Sequence, residues 1–234
     1  MQPVRRLDPL PDWVSDPAVI SIMQAAMAGG GRVRFVGGCV RNSLMGLPVA
    51  DIDAATDVPA EEVMRRVEAA GIRAVPTGLD HGTVTAVKDH VKVEITTLRV
   101  DVETDGRRAR IAYTDDWAED AKRRDLTMNA LFLDPDGTLY VPVGGLADIE
   151  TGRVRFVGEA ERRIQEDVLR LLRFFRFHAH YGRMAPDEEG LAACKRFAPL
   201  LPTLAGERIR DELLKLLAAR DPAPTFYLMR QAGV

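Results

Sequence analysis

The repeat of apolar residues changes once along this chain, and that change limits the fold more than any other feature. Up to about Gly145 the strand-like runs alternate in and out, with short helical stretches between them. Beyond Glu159 the spacing becomes helical, in ERRIQEDVLRLLRFFRFHAHYG, DEEGLAACKRFAPLL, GERIRDELLKLLAAR and PTFYLMRQAGV. The expected organisation is an α/β (α+β) unit over residues 1–156 followed by an all-helical unit over 157–234.

With 234 residues, 46% of them hydrophobic, the chain can fill two cores. A formal net charge of -3 excludes a protein that grips nucleic acid by its overall charge, so any RNA contact must be local. From Arg153 to Arg183 eight arginines face four acids, a local excess suited to phosphates. Cys39 and Cys194 fit neither a disulfide framework nor a zinc site, which implies no disulfide partner and a reducing, cytoplasmic setting. No stretch approaches the roughly 18 apolar residues of a membrane span, and the N-terminal segment has no apolar core. A soluble, unprocessed protein with no membrane partner is expected.

In the first unit, Asp16–Ala28 reads as a helix stopped by Gly29-Gly30-Gly31 and Arg32–Val36 as a strand. CVRNSLMG reads as a short helix ending at Gly46, ADIDAAT as a strand holding both aspartates, and Glu61–Ala70 as an amphipathic helix. HGTVTAVKDHVKVEITTLRV is the strongest hairpin signal, with Glu94 on its polar face. Asp101–Asp120 is polar around Asp105-Gly106 and is expected to be a mobile loop. ALFLDPDGTLYVPVGG is a second hairpin, and its Asp-Pro-Asp-Gly shows that an Asp-x-Asp spacing can be plain turn chemistry.

Asp51 and Asp53 differ from that turn pair by their setting. Carboxylates at i and i+2 of a strand share a face and can converge on Mg²⁺. They follow a strand–Gly37-Gly38–helix turn with Arg41 beyond it, where backbone amides, the helix end and a guanidinium can meet a polyphosphate. Alone, Gly-Gly reads better as a tight turn; beside ADID the phosphate reading prevails. Glu94 is a candidate third carboxylate, against a solvated strand face. Arg123, Arg124, Asp125 and Asn129 suit a triphosphate and a ribose, with Asp125 and Asn129 one turn apart if that segment is helical. The alternative is a charged helix start.

On the helix projected from Glu166, Val168, Leu172, Phe175 and Ala179 form the buried stripe, while Asp167 and Arg170 fall beside Phe174, Phe177 and His178. A carboxylate acceptor and a guanidinium donor can read the amine and ring nitrogen shared by cytosine and adenine. Guanine and uracil place a carbonyl where the amine would be, leaving the carboxylate unpaired. The competing reading is an i,i+3 salt bridge. Arg173 and Arg176 fall on the polar remainder, and Arg173 is a further candidate for nucleotide binding. The four histidines show no metal spacing and are read as structural.

Taken in order, FVGGCVRNSLMG, ADIDAAT, HGTV, VEITTLR, RRDLTMNA, EDVLRLLRFFRF and GERIRDEL resemble the class II tRNA nucleotidyltransferases, the CCA-adding enzymes, and their relatives the bacterial poly(A) polymerases. The resemblance covers nearly the whole chain. It implies a polymerase-β-like nucleotidyltransferase head with a small β-sheet and flanking helices, followed by an all-helical neck that serves as a protein template for the base. It also implies Mg²⁺ on Asp51 and Asp53, triphosphate at Gly37, Gly38 and Arg41, and phosphate or ribose at Arg124, Asp125 and Asn129. Asp167 and Arg170 would select CTP and then ATP, for addition to a tRNA 3′ end, and Glu207 and Arg208 would brace the template helix. Asn42 departs from the family's common aspartate, and Leu126 from a common phenylalanine. Members usually continue into body and tail domains, so the chain reads as a head-plus-neck portion. HGTV and the long 101–120 segment favour CCA addition. The alternatives are a bacterial poly(A) polymerase, or a nucleotide- or RNA-binding module without turnover.

Overall fold

The computed structural model describes residues 1–104 and 109–234. Two compact units emerge, one of Met1–Val102, Arg110–Arg123 and Asn129–Val143, the other including Arg124–Met128 and Gly144–Val234. The division does not fall at the period change near residue 157: the second unit also takes in the segments 124–128 and 144–156.

The chain runs through β1 (Pro3–Arg6), α1 (Pro17–Met27), β2 (Val33–Val36), α2 (Gly38–Leu44), β3 (Ile52–Thr56) and α3 (Ala60–Ala69). It continues through β4 (Arg73–Gly78), β5 (Thr83–Lys88) and β6 (Val91–Thr97). Next come β7 (Arg99–Thr104), β8 (Ala109–Tyr113), α4 (Trp117–Lys122), β9 (Phe132–Leu133) and β10 (Thr138–Tyr140). One sheet has the order β1-β10-β9-β2-β3-β6-β5-β4. Its β3–β6 ladder is parallel and the others are antiparallel. Helix α3 therefore acts as the crossover that carries the chain from β3 to the far edge, from which two hairpins return β6 to β3.

Helix α1 starts where the Asp16 carboxylate accepts from Ala18 N at 2.8 Å with Pro17 at the first turn, and it buries Val19, Ile22, Met23 and Ala26. Along β6, Val91, Val93 and Ile95 are buried while Lys92 and Glu94 are exposed. Apolar burial thus occupies the sheet face beneath α1 and α3, and the carboxylate face is the opposite one. Toward the β10 edge of the sheet, buried Arg34 pairs with Asp134 at 2.8 Å and lies 4.3 Å from the Trp117 ring centre and 3.9 Å from that of Tyr140.

Two expectations change here. The polar 101–120 segment is not a plain loop: β7 and β8 pair as a two-stranded ribbon and α4 follows, capped by Asp116 accepting from Ala118 N at 2.8 Å. Its expected centre, Asp105-Gly106, lies outside the described residues. Asp125 and Asn129 are not one helical turn apart. Leu126 instead bridges to Phe156, and only Thr127–Asn129 coil, as a 3₁₀ turn. Backbone bonds from Thr127 N to Arg155 O and from Val157 N to Asp125 O, both 3.0 Å, hold this segment extended.

The second unit contains α5 (Gly145–Thr151), α6 (Ala160–Glu166), α7 (Leu169–Tyr181), α8 (Glu188–Phe197), α9 (Gly206–Leu217) and α10 (Ala223–Ala232). Helix α7 packs on α9 and α10. Phe174 is its centre: fully buried, stacked on Phe156 at 5.4 Å, edge-on to Phe175, and so close to α8 that a Cβ on Gly190 would lie 2.8 Å from its ring. We expect Phe174→Ala to cost about 3–5 kcal/mol in urea unfolding followed by helical circular dichroism. A loss under about 1 kcal/mol would show that this ring is not the centre of the helical core.

Candidate active site

The turn from β2 to α2 requires its first glycine. Gly37 sits at φ 75°, ψ −130°, a conformation that L side chains rarely adopt, and a Cβ there would stand 3.8 Å from Asp53 Oδ2. The glycine bend and the Asp53 carboxylate are therefore neighbours. Asp53 is half-buried within β3, in register with exposed Glu94 of β6, so the two project from one sheet face. Asp51 is exposed and stands one residue ahead of β3, not within the strand as expected. The ladder begins at Ile52, paired with Val93, which leaves Asp51 on the entering loop.

Arg41 is only 6% exposed. Its Nη1 donates to Asn129 Oδ1 at 2.6 Å, and Nε and Nη2 donate to Asn42 Oδ1 at 3.1 and 2.8 Å. A Cβ on Gly38 would lie 3.6 Å from Nη2, which puts the guanidinium directly under the glycine bend. Gly37, Gly38, Arg41, Asp53, Glu94 and Asn129 are thus gathered in the first unit. Arg123, also in that unit, pairs with buried Asp120 at 2.7 Å. Cys39 supports the same bend from below, its thiol donating to Val36 O at 3.3 Å and Asp53 O at 3.5 Å.

Arg124, Asp125, Asp167, Arg170 and Arg173 belong to the second unit. The helix does not run through Asp167: at φ −156° and ψ 108° it separates α6 from α7. Its carboxylate accepts from Leu169 N at 3.1 Å, a local capping bond that competes with helix continuation. The projection from Glu166 therefore fails at its start. Val168 and Ala179 are half-buried, and the α7 core is Leu171, Leu172, Phe174, Phe175 and Phe177. Nor do the side chains of Asp167 and Arg170 pair with each other, although Arg170 N donates to Asp167 O at 3.0 Å. Arg208 of α9 meets Asp167 at 2.8 Å, and Arg170 donates to Glu166 at 2.6 Å. The i,i+4 spacing of Glu166 and Arg170 was the available signal for that second bond.

Arg173 is not on a solvated remainder either. It donates to Asp125 Oδ2 at 2.7 Å and lies 4.0 Å from Glu212, which also takes Arg176 at 2.6 Å. Asp125 Oδ1 accepts from Leu126 N at 2.8 Å, so this carboxylate anchors both an arginine and a turn. No local pattern joins positions 48 residues apart.

Asp51 and Asp53 offer the hard oxygen donors that Mg²⁺ takes, one exposed and one half-buried. Among the described residues no group of three or more His, Cys, Asp or Glu side chains is gathered for a metal ion. The carboxylate donor chemistry of the aspartate pair fits the magnesium ion.

The α/β unit sets a carboxylate strand against a glycine bend, and a helical unit follows. A family model described as Poly A polymerase head domain matches residues 33–155, and one described as "Probable RNA and SrmB- binding site of polymerase A" matches 183–234. The chain belongs to this family, that of the CCA-adding enzymes and bacterial poly(A) polymerases, and carries the head and neck portion. It is 47% identical over 208 residues to the mitochondrial CCA tRNA nucleotidyltransferase 1 of Homo sapiens, covering 86% of this chain and 47% of that protein. To the CCA-adding enzyme of Geobacillus stearothermophilus it is 38% identical, covering 92% and 52%. The crystal structure of the Bacillus stearothermophilus CCA-adding enzyme in complex with CTP superposes with a TM-score of 0.83 at 36% identity, over 92% of this chain and 52% of that one. The chain spans about half the length of the curated relatives it matches.

Burial pushes the Cys39 thiol from an ordinary 9.0 up to about 11. Its stabilising contribution is present below about pH 9 and is lost as pH rises through about 11, because the unfolded chain ionises first. Wild type should lose roughly 3 kcal/mol more stability than Cys39→Ala between those limits in urea melts. Parallel pH profiles for the two proteins would show that the thiol is not held neutral.

Proposed function

We propose that the chain is the catalytic head and neck of a template-independent nucleotidyltransferase that adds CMP and AMP from CTP and ATP to a tRNA 3′ end and releases pyrophosphate. The observation that carries this reading is the closeness of the Asp53 carboxylate to the Gly37 bend, on a face shared with Glu94. Family membership and relatives whose structures hold CTP or ATP support it.

In this reading Asp51 and Asp53 hold Mg²⁺, which when bound neutralises phosphate charge and favours ionisation of the attacking hydroxyl. The backbone at Gly37 and Gly38, free of side chains, admits the triphosphate closely. Arg41, kept beneath by Asn42 and Asn129, adds fixed positive charge that need not reorganise during transfer. Glu94 assists as a third carboxylate on the neighbouring strand. The tRNA 3′ hydroxyl attacks the α-phosphorus in line, the bond to the bridging oxygen breaks, and pyrophosphate leaves with that electron pair.

Base choice falls to the second unit. Asp167 presents an acceptor and Arg170 a donor, each held by a partner of its own, Arg208 and Glu166. Arg124, Asp125, Asn129, Arg123 and Arg173 are assigned to triphosphate and ribose, with Asp125 acting largely through Arg173. Two free, buried cysteines suit a reducing, cytoplasmic setting, and among the described residues no helix is long and apolar enough to cross a membrane.

Incorporation of labelled CTP and ATP into a tRNA trimmed of its CCA end tests the reaction, with GTP and UTP as controls. Asp51→Ala and Asp53→Asn should each lower incorporation by at least about a thousandfold with unchanged circular dichroism. Near-normal transfer in either would remove that residue from the metal role, and long A tails would point to a poly(A) polymerase instead. In the same assay Asp167→Asn and Arg170→Ala should lose preference for CTP and ATP by at least about tenfold, with smaller changes in triphosphate KM. Unchanged selectivity would free both from base recognition.

A further inference from the structure

Asn42 touches both the arginine beneath the glycine bend and the loop that leads into Asp51. Its side-chain oxygen accepts from Arg41 Nε and Nη2 at 3.1 and 2.8 Å, and its side-chain nitrogen donates to Pro48 O at 2.8 Å. Two guanidinium donors on one side and a carbonyl on the other fix which way the amide points, since the reverse orientation would set donor against donor and oxygen against oxygen. The backbone joins in: Asn42 O accepts from Met45 N at 3.1 Å and from Leu47 N at 2.8 Å. Residues 45–50 run from this anchor straight to Asp51, which has no strand pairing of its own to place it.

We propose that Asn42 is a positioning residue that sets the reach of Asp51 by tying residues 45–50 to the Arg41 clamp, and that only an amide performs both halves of the task. The proposal rests on reading Asp51 and Asp53 as the metal pair. A carboxylate at this position keeps the bond to Arg41 but cannot donate to Pro48 O. Asparagine therefore trades part of the charge around Arg41 for a pinned loop. The bond to Pro48 is close to solvent, so its loss is worth a modest factor and not a collapse of the fold.

Three forms of the chain test this: wild type, Asn42→Asp and Asn42→Ala. Two readouts besides turnover apply, amide hydrogen exchange over residues 45–50 without metal or nucleotide, and Mn²⁺ binding followed by electron paramagnetic resonance. Asn42→Asp should raise exchange at Leu47 and its neighbours by about three- to tenfold and weaken Mn²⁺ binding by a similar factor, with the KM for CTP within about twofold of wild type. Asn42→Ala should show the same two changes and also raise that KM, because Arg41 loses one of its acceptors and only the bond to Asn129 described above still steadies it from that side. Wild-type exchange and wild-type Mn²⁺ affinity in Asn42→Asp would overturn the proposal, as would a loosened loop with undiminished metal binding. Failure of Mn²⁺ to bind the wild-type chain would instead sink the metal reading of the aspartates. The exchange data would then decide the loop tether by themselves.

Discussion

The parallel ladder between β3 and β6 is the constraint on which the rest of the first unit depends. Backbone bonding over five residue pairs sets Asp53 beside Glu94 and forces Ala54 opposite Ile95 into the core. Because side chains alternate, a slip of one residue would bury the carboxylates and expose the apolar set. The core under α1 and α3 therefore selects the register that turns acids outward. Chemistry and folding stability are coupled through that ladder, and the Gly37 bend is placed against it by the adjacent β2–β3 pairing.

Cations held in low-exposure settings provide a second layer of order. Arg41 lies under the bend between two amide oxygens, Arg173 between Asp125 and Glu212, Arg170 on Glu166, and Arg34 between two rings and Asp134. Desolvating an arginine is costly, and each bond to a fixed acceptor offsets part of that cost while removing conformational freedom. Such preparation suits a reaction whose main demand is on positive charge and donors already in place when phosphate charge shifts.

Local signals recovered the elements whose stabilising features are local. Helical apolar spacing over Asp16–Ala28 announced α1, the glycines after it announced its end, and the β5–β6 hairpin followed from alternation around Lys88-Asp89-His90. Where the signal was absent the reading slipped. Strands β7 and β8 pair only with each other in the described sheets, and the short alternation of Val100 and Val102 is outweighed by the charged stretch that follows it. The break at Asp167 escaped because the helical period on its two sides is continuous in sequence, while a single side-chain cap decides the backbone.

Asp51, Asp53, the glycine pair and Arg41 could be named as a group from spacing alone, since residue chemistry and strand alternation are properties of a short stretch. Which partner each charge takes could not. Arg173 with Asp125, Asp167 with Arg208 and Arg41 with Asn129 join positions 41 to 88 residues apart. Chain order contains no term for such distances. They close only when β9 pairs beside β2 within the first unit and α7 packs on α9 within the second, and that packing decides which of several equally charged candidates comes within bonding reach.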